Sequence, residues 1–171
     1  MLERIVQNLM KQVKLERLPL FKGLNPTQME FMRSLFIACQ DSEGSTLFKQ
    51  GGAADYLYVV VDGEIDIRYK PDDGPELTMT KVRSGGVVGW SAALGNQVYS
   101  SSAVCLTDCT MLRVHSTALH NLCVEHPETG SLIVERLAAV IAERLRNTHH
   151  HVISLLNQGL RVRMNEPAAS G

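Results

Sequence analysis

Histidine and cysteine side chains are the residues of this chain best suited to metal or redox chemistry. Three histidines are consecutive, His149-His150-His151. Successive residues of a helix point about 100° apart, whereas two metal ligands on one helix are usually three or four residues apart. A solvent-facing or helix-seam role is therefore favoured over a metal site.

The chain has four cysteines, and two of them flank three residues that are typical of a junction between strands: Cys39, Cys105, Cys109 and Cys123. An iron–sulfur centre needs four ligands, usually closely spaced, and disulfide frameworks are typical of exported proteins. The N-terminal residues do not have the pattern of an export signal, so buried thiols are predicted. Because no nucleophile–base pair, carboxylate pair or Walker-type loop stands out, we expect no enzyme activity.

Composition places the chain among ordinary globular domains. It carries 17 lysines and arginines against 18 aspartates and glutamates in 171 residues. Nucleic-acid binders and acidic-membrane binders use an excess of basic residues, and no segment has the roughly 18 apolar residues that a membrane span needs. We expect a cytoplasmic protein that binds neither DNA nor membrane.

The periodicity of apolar residues predicts helices at both ends and strands between them. Residues 1–18 are predicted to form an amphipathic helix, and Asn25-Pro26 starts a second one with a capping residue before proline. From 37 to 114, short apolar stretches alternate with glycine-containing turns about ten residues apart. This spacing is typical of many short antiparallel strands that close a sandwich or barrel.

The clearest strand covers 64–69, where apolar and charged residues alternate strictly. The alternation predicts Ile65, Ile67 and Tyr69 on one face and three charged side chains on the other. Asp62-Gly63, immediately before this strand, is a type I′ turn signal that joins it to the preceding apolar run.

After Val114 the period returns to helical, with a short helix capped by Ser116 and a long helix over 127–158. Seven successive positions of the long helix fit an a/d heptad, which predicts a dimerisation seam: Val134, Ala138, Ile141, Leu145, Thr148, Val152 and Leu155. A second apolar set that includes Ile133 and Leu137 predicts that the helix packs on its own domain with one side and on a partner with the other. We expect 159–171 to be a flexible tail.

The order of elements and three spaced motifs resemble the cyclic nucleotide-binding domain, and more narrowly the sensory half of the catabolite activator protein family. The likeness runs from about Leu20 to Leu156. It implies a mainly β fold: an eight-stranded antiparallel, jelly-roll-like β-roll over 19–126, with an N-terminal helix over 1–18 and the long C-terminal dimerisation helix. The motifs are Gly44-x-x-Leu47-Phe48-x-x-Gly51, Ala54-Asp55-x-Leu57-Tyr58-Val59-Val60-x-x-Gly63 and Gly86-x-x-Gly89.

The resemblance also implies a ligand site. In that family a glycine-led turn and the short helix after it cradle the ligand phosphate, because N–H groups at a helix N-terminus bind anions. The implied site contains a variant Gly-Trp-Ser-Ala cassette, two serines, and two residues of the long helix where the family contacts the base: Gly89, Trp90, Ser91, Ala92, Ser101, Ser102, Thr148 and His149. Thr148 fits seam packing slightly better than ligand contact.

Two positions depart from the family's pattern. Trp90 stands where the family has a ribose-binding glutamate, and Ser101 where it has a phosphate-binding arginine. A charge-assisted hydrogen bond contributes roughly 1.5–3 kcal/mol, so loss of the arginine alone predicts roughly ten- to a hundred-fold weaker phosphate binding. Trp90 either stacks on a planar ligand or fills the pocket itself. A cyclic nucleotide, if bound, is therefore expected to bind weakly.

Two functions stay open at this point. One is a stand-alone sensor module that binds a small anionic ligand of the nucleotide type and signals through its long helix to a downstream protein. The other is a degenerate, ligand-free fold that serves as a dimeric interaction scaffold. In the family a helix-turn-helix DNA reader follows the long helix, and only 15 residues follow Leu156 here, so the sequence predicts no DNA-binding domain.

Overall fold

The computed structural model describes residues 1–165, which contain four α-helices and eight strands. Two single 3₁₀ turns, Leu15–Arg17 and Pro19–Phe21, connect the first two helices. The helices are α1 Leu2–Gln12, α2 Pro26–Leu35, α3 Ser116–Glu125 and α4 Pro127–Asn165. The strands are β1 Ile37–Asp41, β2 Thr46–Phe48, β3 Tyr56–Asp62, β4 Ile65–Tyr69, β5 Leu77–Val82, β6 Val87–Val88, β7 Ser102–Cys105 and β8 Cys109–His115.

The strands form two antiparallel sheets of four, in the orders β1-β8-β3-β6 and β2-β7-β4-β5. Except for β4 and β5, neighbours in these orders are not consecutive in sequence, because the chain passes repeatedly from one sheet to the other. The two sheets face each other and enclose one apolar core that takes side chains from both. The predicted eight-stranded antiparallel β-roll is confirmed.

Strand β3 is buried on both of its faces. Tyr58 and Val60 point into the roll, while Leu57 and Val59 are fully buried on the opposite face. On that outer side α1 packs on β1 and α3 packs on β8. A strand covered on both sides needs a continuous apolar run, which explains why β3 lacks the alternation of β4.

The helix starts follow local capping chemistry. Asn25 caps α2 as predicted, since its side chain accepts a hydrogen bond of 2.8 Å from the Gln28 N–H and its own N–H donates to Gln28 over 3.0 Å. Helix α3 begins at Ser116, but the cap is His115, whose Nδ1 accepts from the Thr117 N–H over 3.1 Å. The predicted Ser116 cap is therefore displaced by one residue. Helix α1 ends at Gln12, before the expected end at 18.

The charged face of β4 differs from the prediction. Asp66 is only 5% exposed, because β5 and β7 flank β4 on both sides. Its Oδ2 accepts hydrogen bonds from Arg68 Nε at 3.1 Å and from Thr78 Oγ1 at 3.2 Å. Tyr69, predicted to be inward, is 40% exposed at the strand end. Alternation gave the faces of this strand correctly at Ile65 and Ile67 but could not show how deeply neighbouring strands cover a polar residue.

The chain divides into two units, Met1–Val140 and Ile141–Gly171. In the first unit, Ile133 and Leu137 of α4 are buried, whereas Val134 is 52% exposed and Ala138 is exposed. In the second unit Leu145 is 58% exposed and Ile141 is half-buried.

Helix α4 runs to Asn165, beyond the predicted end at 158. The last six residues of the predicted tail, 166–171, lie outside the described residues, as do the side chains of two predicted seam residues, Val152 and Leu155. Among the helices described up to 165, none has the length and apolarity that a bilayer crossing requires.

Gly130 tests the packing of α4 on α3. A methyl group at this position would lie 2.7 Å from the Cα atom of Cys123. Alanine favours a helix interior over glycine by about 1 kcal/mol, so intrinsic propensity predicts that Gly130→Ala stabilises the protein. The contact predicts the opposite, a loss of about 1–3 kcal/mol in the free energy of unfolding, measurable by urea denaturation.

The matched control is Ala139→Gly at an exposed position of the same helix. We expect it to lower the free energy of unfolding by about 1 kcal/mol through helix propensity alone. A Gly130→Ala variant more stable than the parent protein would contradict the close approach of the two helices.

Candidate functional site

The turn after β6 is built on Gly89, whose φ of +75° lies in the left-handed region. Residues 90–95 form consecutive turns rather than the short helix that the resemblance implied. The N–H groups of Ala92 and Ala93 donate to the carbonyls of Gly89 and Trp90, each over 3.1 Å. Among the described residues, the N–H groups of Trp90 and Ser91 donate to no other protein group. The turn therefore offers two adjacent donors to an anion.

Four aromatic side chains pack together beside this turn, and we call Phe48, Tyr56, Tyr58 and Tyr99 the aromatic cluster. The rings of Phe48 and Tyr99 are stacked, with centroids 3.8 Å apart and planes at 17°. Phe48 also stacks on Tyr58 at 6.0 Å, and Tyr58 lies 6.2 Å from Tyr56. Strands β2 and β3 and the loop before β7 supply these rings, so the cluster joins both sheets at the end of the roll that carries Gly89.

Gly89 contacts the aromatic cluster directly. A methyl group on its Cα would lie 2.7 Å from the Tyr56 carbonyl oxygen, 3.2 Å from the Tyr99 ring and 3.3 Å from the Phe48 ring. Only glycine combines the left-handed conformation with this close approach. The position of the two free N–H donors is therefore fixed by backbone packing.

The hydroxyl of Tyr99 ties the cluster to the backbone of β3. It donates to the Tyr56 carbonyl over 2.7 Å and accepts from the Tyr56 N–H over 3.0 Å. Burial raises the pKa of Tyr99. Burial, with a smaller contribution from Tyr99, raises the pKa of Tyr58 to about 12. Both phenols are thus neutral at physiological pH and act as packing and hydrogen-bonding groups.

The two serines of the predicted ligand site, Ser101 and Ser102, occupy different positions relative to β7. Ser101 is half-buried and immediately precedes β7. Ser102 is the first residue of β7, and its hydroxyl accepts from the Gln50 N–H over 2.9 Å. Since Ala103 points into the roll, alternation places the Ser102 side chain on the outer face, where it lines a shallow polar depression with Lys49 and Arg68.

Thr148 and His149 belong to the second unit. The Thr148 hydroxyl donates to the Arg144 carbonyl of its own helix over 3.0 Å. His149 is exposed, and its ring lies 6.3 Å from that of His150. Within this unit the Thr148 hydroxyl is already engaged by the helix backbone.

The cysteines are free thiols in the structure, and Cys105 and Cys109 are buried in the roll. The Cys109 thiol donates to the Thr107 carbonyl over 3.3 Å. Burial, reinforced by Cys109, raises the pKa of Cys105 to about 12, and burial raises that of Cys39 to about 11. These two thiols stay protonated at neutral pH, which makes them poor nucleophiles and poor metal ligands.

Sequence reasoning did not select the aromatic cluster or Arg113 as site residues. Strand β8 places Arg113 on the same face as Cys109 and Met111, which point into the roll. Its guanidinium carbon lies 4.8 Å from the centre of the Tyr56 ring. The signal was present in the sequence, since the alternation of β8 puts Arg113 on the same face as the apolar residues Cys109 and Met111.

An eight-stranded antiparallel roll that packs a glycine-led turn against its core places this protein in the class of β-roll domains. Residues 42–126 match the family described as the cyclic nucleotide-binding domain. The chain belongs to this family.

Relatives and solved structures extend the likeness. The chain is 26% identical over 142 residues to a CRP-like cAMP-activated global transcriptional regulator of Mycobacterium tuberculosis, covering 83% of this chain and 62% of that protein. It is 30% identical over 128 residues to the cyclic AMP receptor protein of Thermus thermophilus, covering 75% and 57%. A cyclic nucleotide-binding domain from Methylobacillus flagellatus KT superposes with a TM-score of 0.72 at 18% identity, covering 88% of this chain and 82% of that one.

The chain therefore spans about three fifths of the length of the two curated relatives. Both are regulators by their names, and the structural neighbour from M. flagellatus supports the fold.

Gly89→Ala tests the packing that fixes the turn. We expect a loss of about 2–5 kcal/mol in the free energy of unfolding, because the change adds a clash with the Tyr56 carbonyl to the left-handed strain of about 1–2 kcal/mol. Thermal or urea unfolding measures the loss.

Gly44→Ala is the matched control. Gly44 has a φ of +83° and nothing within 4 Å of an added methyl group, so it carries the strain without the clash. Equal losses in the two variants would show that Gly89 does not pack on Tyr56 as described.

Proposed function

We propose that this chain is a regulatory sensor module that binds a small anionic ligand of the nucleotide type at the turn of Gly89–Ala92. The observation that carries the proposal is the pair of unengaged N–H groups, Trp90 and Ser91, held beside the aromatic cluster. Family membership and the names of the curated relatives support it. A non-enzymatic role and a cytoplasmic location belong to the same proposal.

The chemistry of the turn suits the phosphate of such a ligand. Backbone N–H donors bind an anion without a charged side chain, and Trp90, half-buried at the same turn, offers an aromatic face for a planar ring. Neither the glutamate nor the arginine of the family's pattern is present at Trp90 and Ser101. We therefore propose weak binding of ordinary cyclic nucleotides.

Helix α4 is the proposed output of the module. Val134 in the first unit and Leu145 in the second are exposed apolar residues of this helix, and they support a homodimer formed through it. A downstream protein partner would bind differently according to how this helix packs. A ligand shifts the equilibrium between two packing arrangements of α4 only if it binds the protein more tightly in one of them.

The second candidate function is a dimeric interaction scaffold that binds no ligand. The observation that favours it is the close packing of Phe48 and Tyr99 on Gly89, which fills the space next to the turn. In this alternative Trp90 caps the end of the roll, and α4 alone carries the interaction.

Titration with cyclic AMP and cyclic GMP separates the two candidates. Trp90 is the single tryptophan of the chain, so its fluorescence reports the turn without interference. A saturable fluorescence change with a rise in melting temperature is expected for the sensor. A flat response in both measurements supports the scaffold and rejects a nucleotide sensor.

Ser101→Arg is expected to strengthen cyclic AMP binding roughly ten- to a hundred-fold, because it restores a charge-assisted hydrogen bond to the phosphate. Isothermal titration calorimetry measures the dissociation constant. The control is Ser100→Arg, which adds the same charge at an exposed neighbouring position and should change the dissociation constant less than two-fold in low salt. An equal gain in both variants would indicate nonspecific attraction.

Leu145→Glu tests the proposed dimer. Placing a charge at a seam position that is 58% exposed in the single chain should weaken association by at least ten-fold, since a buried unpaired carboxylate is costly. Sedimentation velocity at micromolar concentration measures the association. Asn147→Glu, exposed on another face of the same helix, is the control and should remain dimeric. A parent protein that sediments as a monomer would reject the seam.

A further inference from the structure

Arg113 projects from β8 toward the interior of the roll. Cys109 and Met111, two and four residues earlier on the same strand, belong to the roll core, whereas Leu112 and Val114 are buried on the opposite face. Arg113 is half-buried, and an arginine at an inward position of a central strand is unusual because part of its charged group is withdrawn from water.

The guanidinium of Arg113 has no protein acceptor among the described residues. Three other arginines of the first unit form ion pairs: Arg33 with Glu16, Arg68 with Asp66, and Arg83 with Glu64. Arg113 instead lies over the ring of Tyr56 at 4.8 Å, and its Nε is fully buried without a hydrogen-bond partner.

Asp41 is close enough to influence Cys39 and Tyr58 electrostatically, as Arg113 also is. Within the described part of the chain, however, Asp41 forms no ion pair with Arg113. The roll thus holds a cation that is oriented by an aromatic face and lacks an anion.

The register of the sheet brings this cation to the turn of Gly89. Tyr58 pairs with Arg113 on one side and with Val88 on the other, so the Cα atoms of Arg113 and Val88 are about 10 Å apart across three strands. Gly89 follows Val88 directly. Tyr56 touches both groups, since its ring lies under the guanidinium and its carbonyl contacts Gly89.

We infer that Arg113 binds the anionic group of the ligand and supplies the positive charge that Ser101 lacks. This inference rests on the proposed function and adds the ligand class: a phosphate ester with a planar ring, held between the N–H donors of the turn and a guanidinium from β8. The guanidinium fork suits phosphate oxygens because it donates two parallel hydrogen bonds. Stacking on Tyr56 holds the fork in place before the ligand arrives.

Arg113→Gln tests the inference in the full chain, with cyclic AMP and cyclic GMP as probes. Calorimetry and Trp90 fluorescence should show a dissociation constant raised at least ten-fold for whichever probe the parent protein binds. Arg113→Lys keeps the charge without the guanidinium fork, so its dissociation constant should lie between those of the parent protein and the Arg113→Gln variant. Arg83→Gln removes an exposed arginine from the same unit and should bind as the parent does. Melting temperatures verify that all variants fold.

The uncharged ligand adenosine distinguishes a phosphate contact from a packing role. Arg113→Gln should change adenosine binding less than two-fold, and an equal loss for adenosine and the phosphorylated probe would overturn the inference. A parent protein that binds a cyclic nucleotide, together with an Arg113→Gln variant that binds it equally well, overturns the inference alone. A parent protein that binds neither cyclic nucleotide overturns the inference together with the nucleotide sensor.

Discussion

The burial of β3 on both faces is the constraint on which the rest of the structure depends. Tyr58 and Val60 complete the core of the roll, and Leu57 and Val59 bury the opposite face. A burial of this kind fixes the register of the strand, since a slip by one residue would exchange the two faces. The same strand pairs with β6 and β8, so its register also sets how far Arg113 lies from the strand that leads to Gly89.

The candidate site is built around this strand from backbone and aromatic groups. The Tyr99 hydroxyl and the Gly89 turn both contact the backbone of Tyr56, which makes the position of the N–H donors a property of the fold rather than of mobile side chains. Donors fixed in this way lose little conformational entropy when an anion binds. The side chains at 90 and 101 can therefore vary while the fold and the donor geometry persist.

Much of the fold could be predicted from the sequence. Glycine-punctuated apolar stretches predicted many short antiparallel strands, and the family resemblance implied that there are eight. Asn25 with Pro26 predicted the start of α2, because turns and caps depend on local residues. The burial of Asp66 depends on which strands lie side by side, and the distance from Arg113 to the turn of Gly89 depends on the pairing of β8, β3 and β6. Both are nonlocal information. The Tyr99–Phe48 stack joins segments that are distant in sequence, so no local pattern could reveal it. The resemblance located Gly89, and the direction of the Ser102 hydroxyl required the register of β7.

The two left-handed glycines at the ends of the turn, Gly89 and Gly95, each have a φ of +75°. Between them the Leu94 N–H donates to the Trp90 carbonyl, and just beyond them the Asn96 N–H donates to the Ser91 carbonyl. The enclosed segment is thus a self-contained insert with fixed ends. Ala92 of this segment belongs to the roll core and Ser91 is buried, whereas Trp90, Ala93 and Leu94 are at least partly exposed. An exchange of these three side chains would alter the surface of the turn and leave the core of the roll intact.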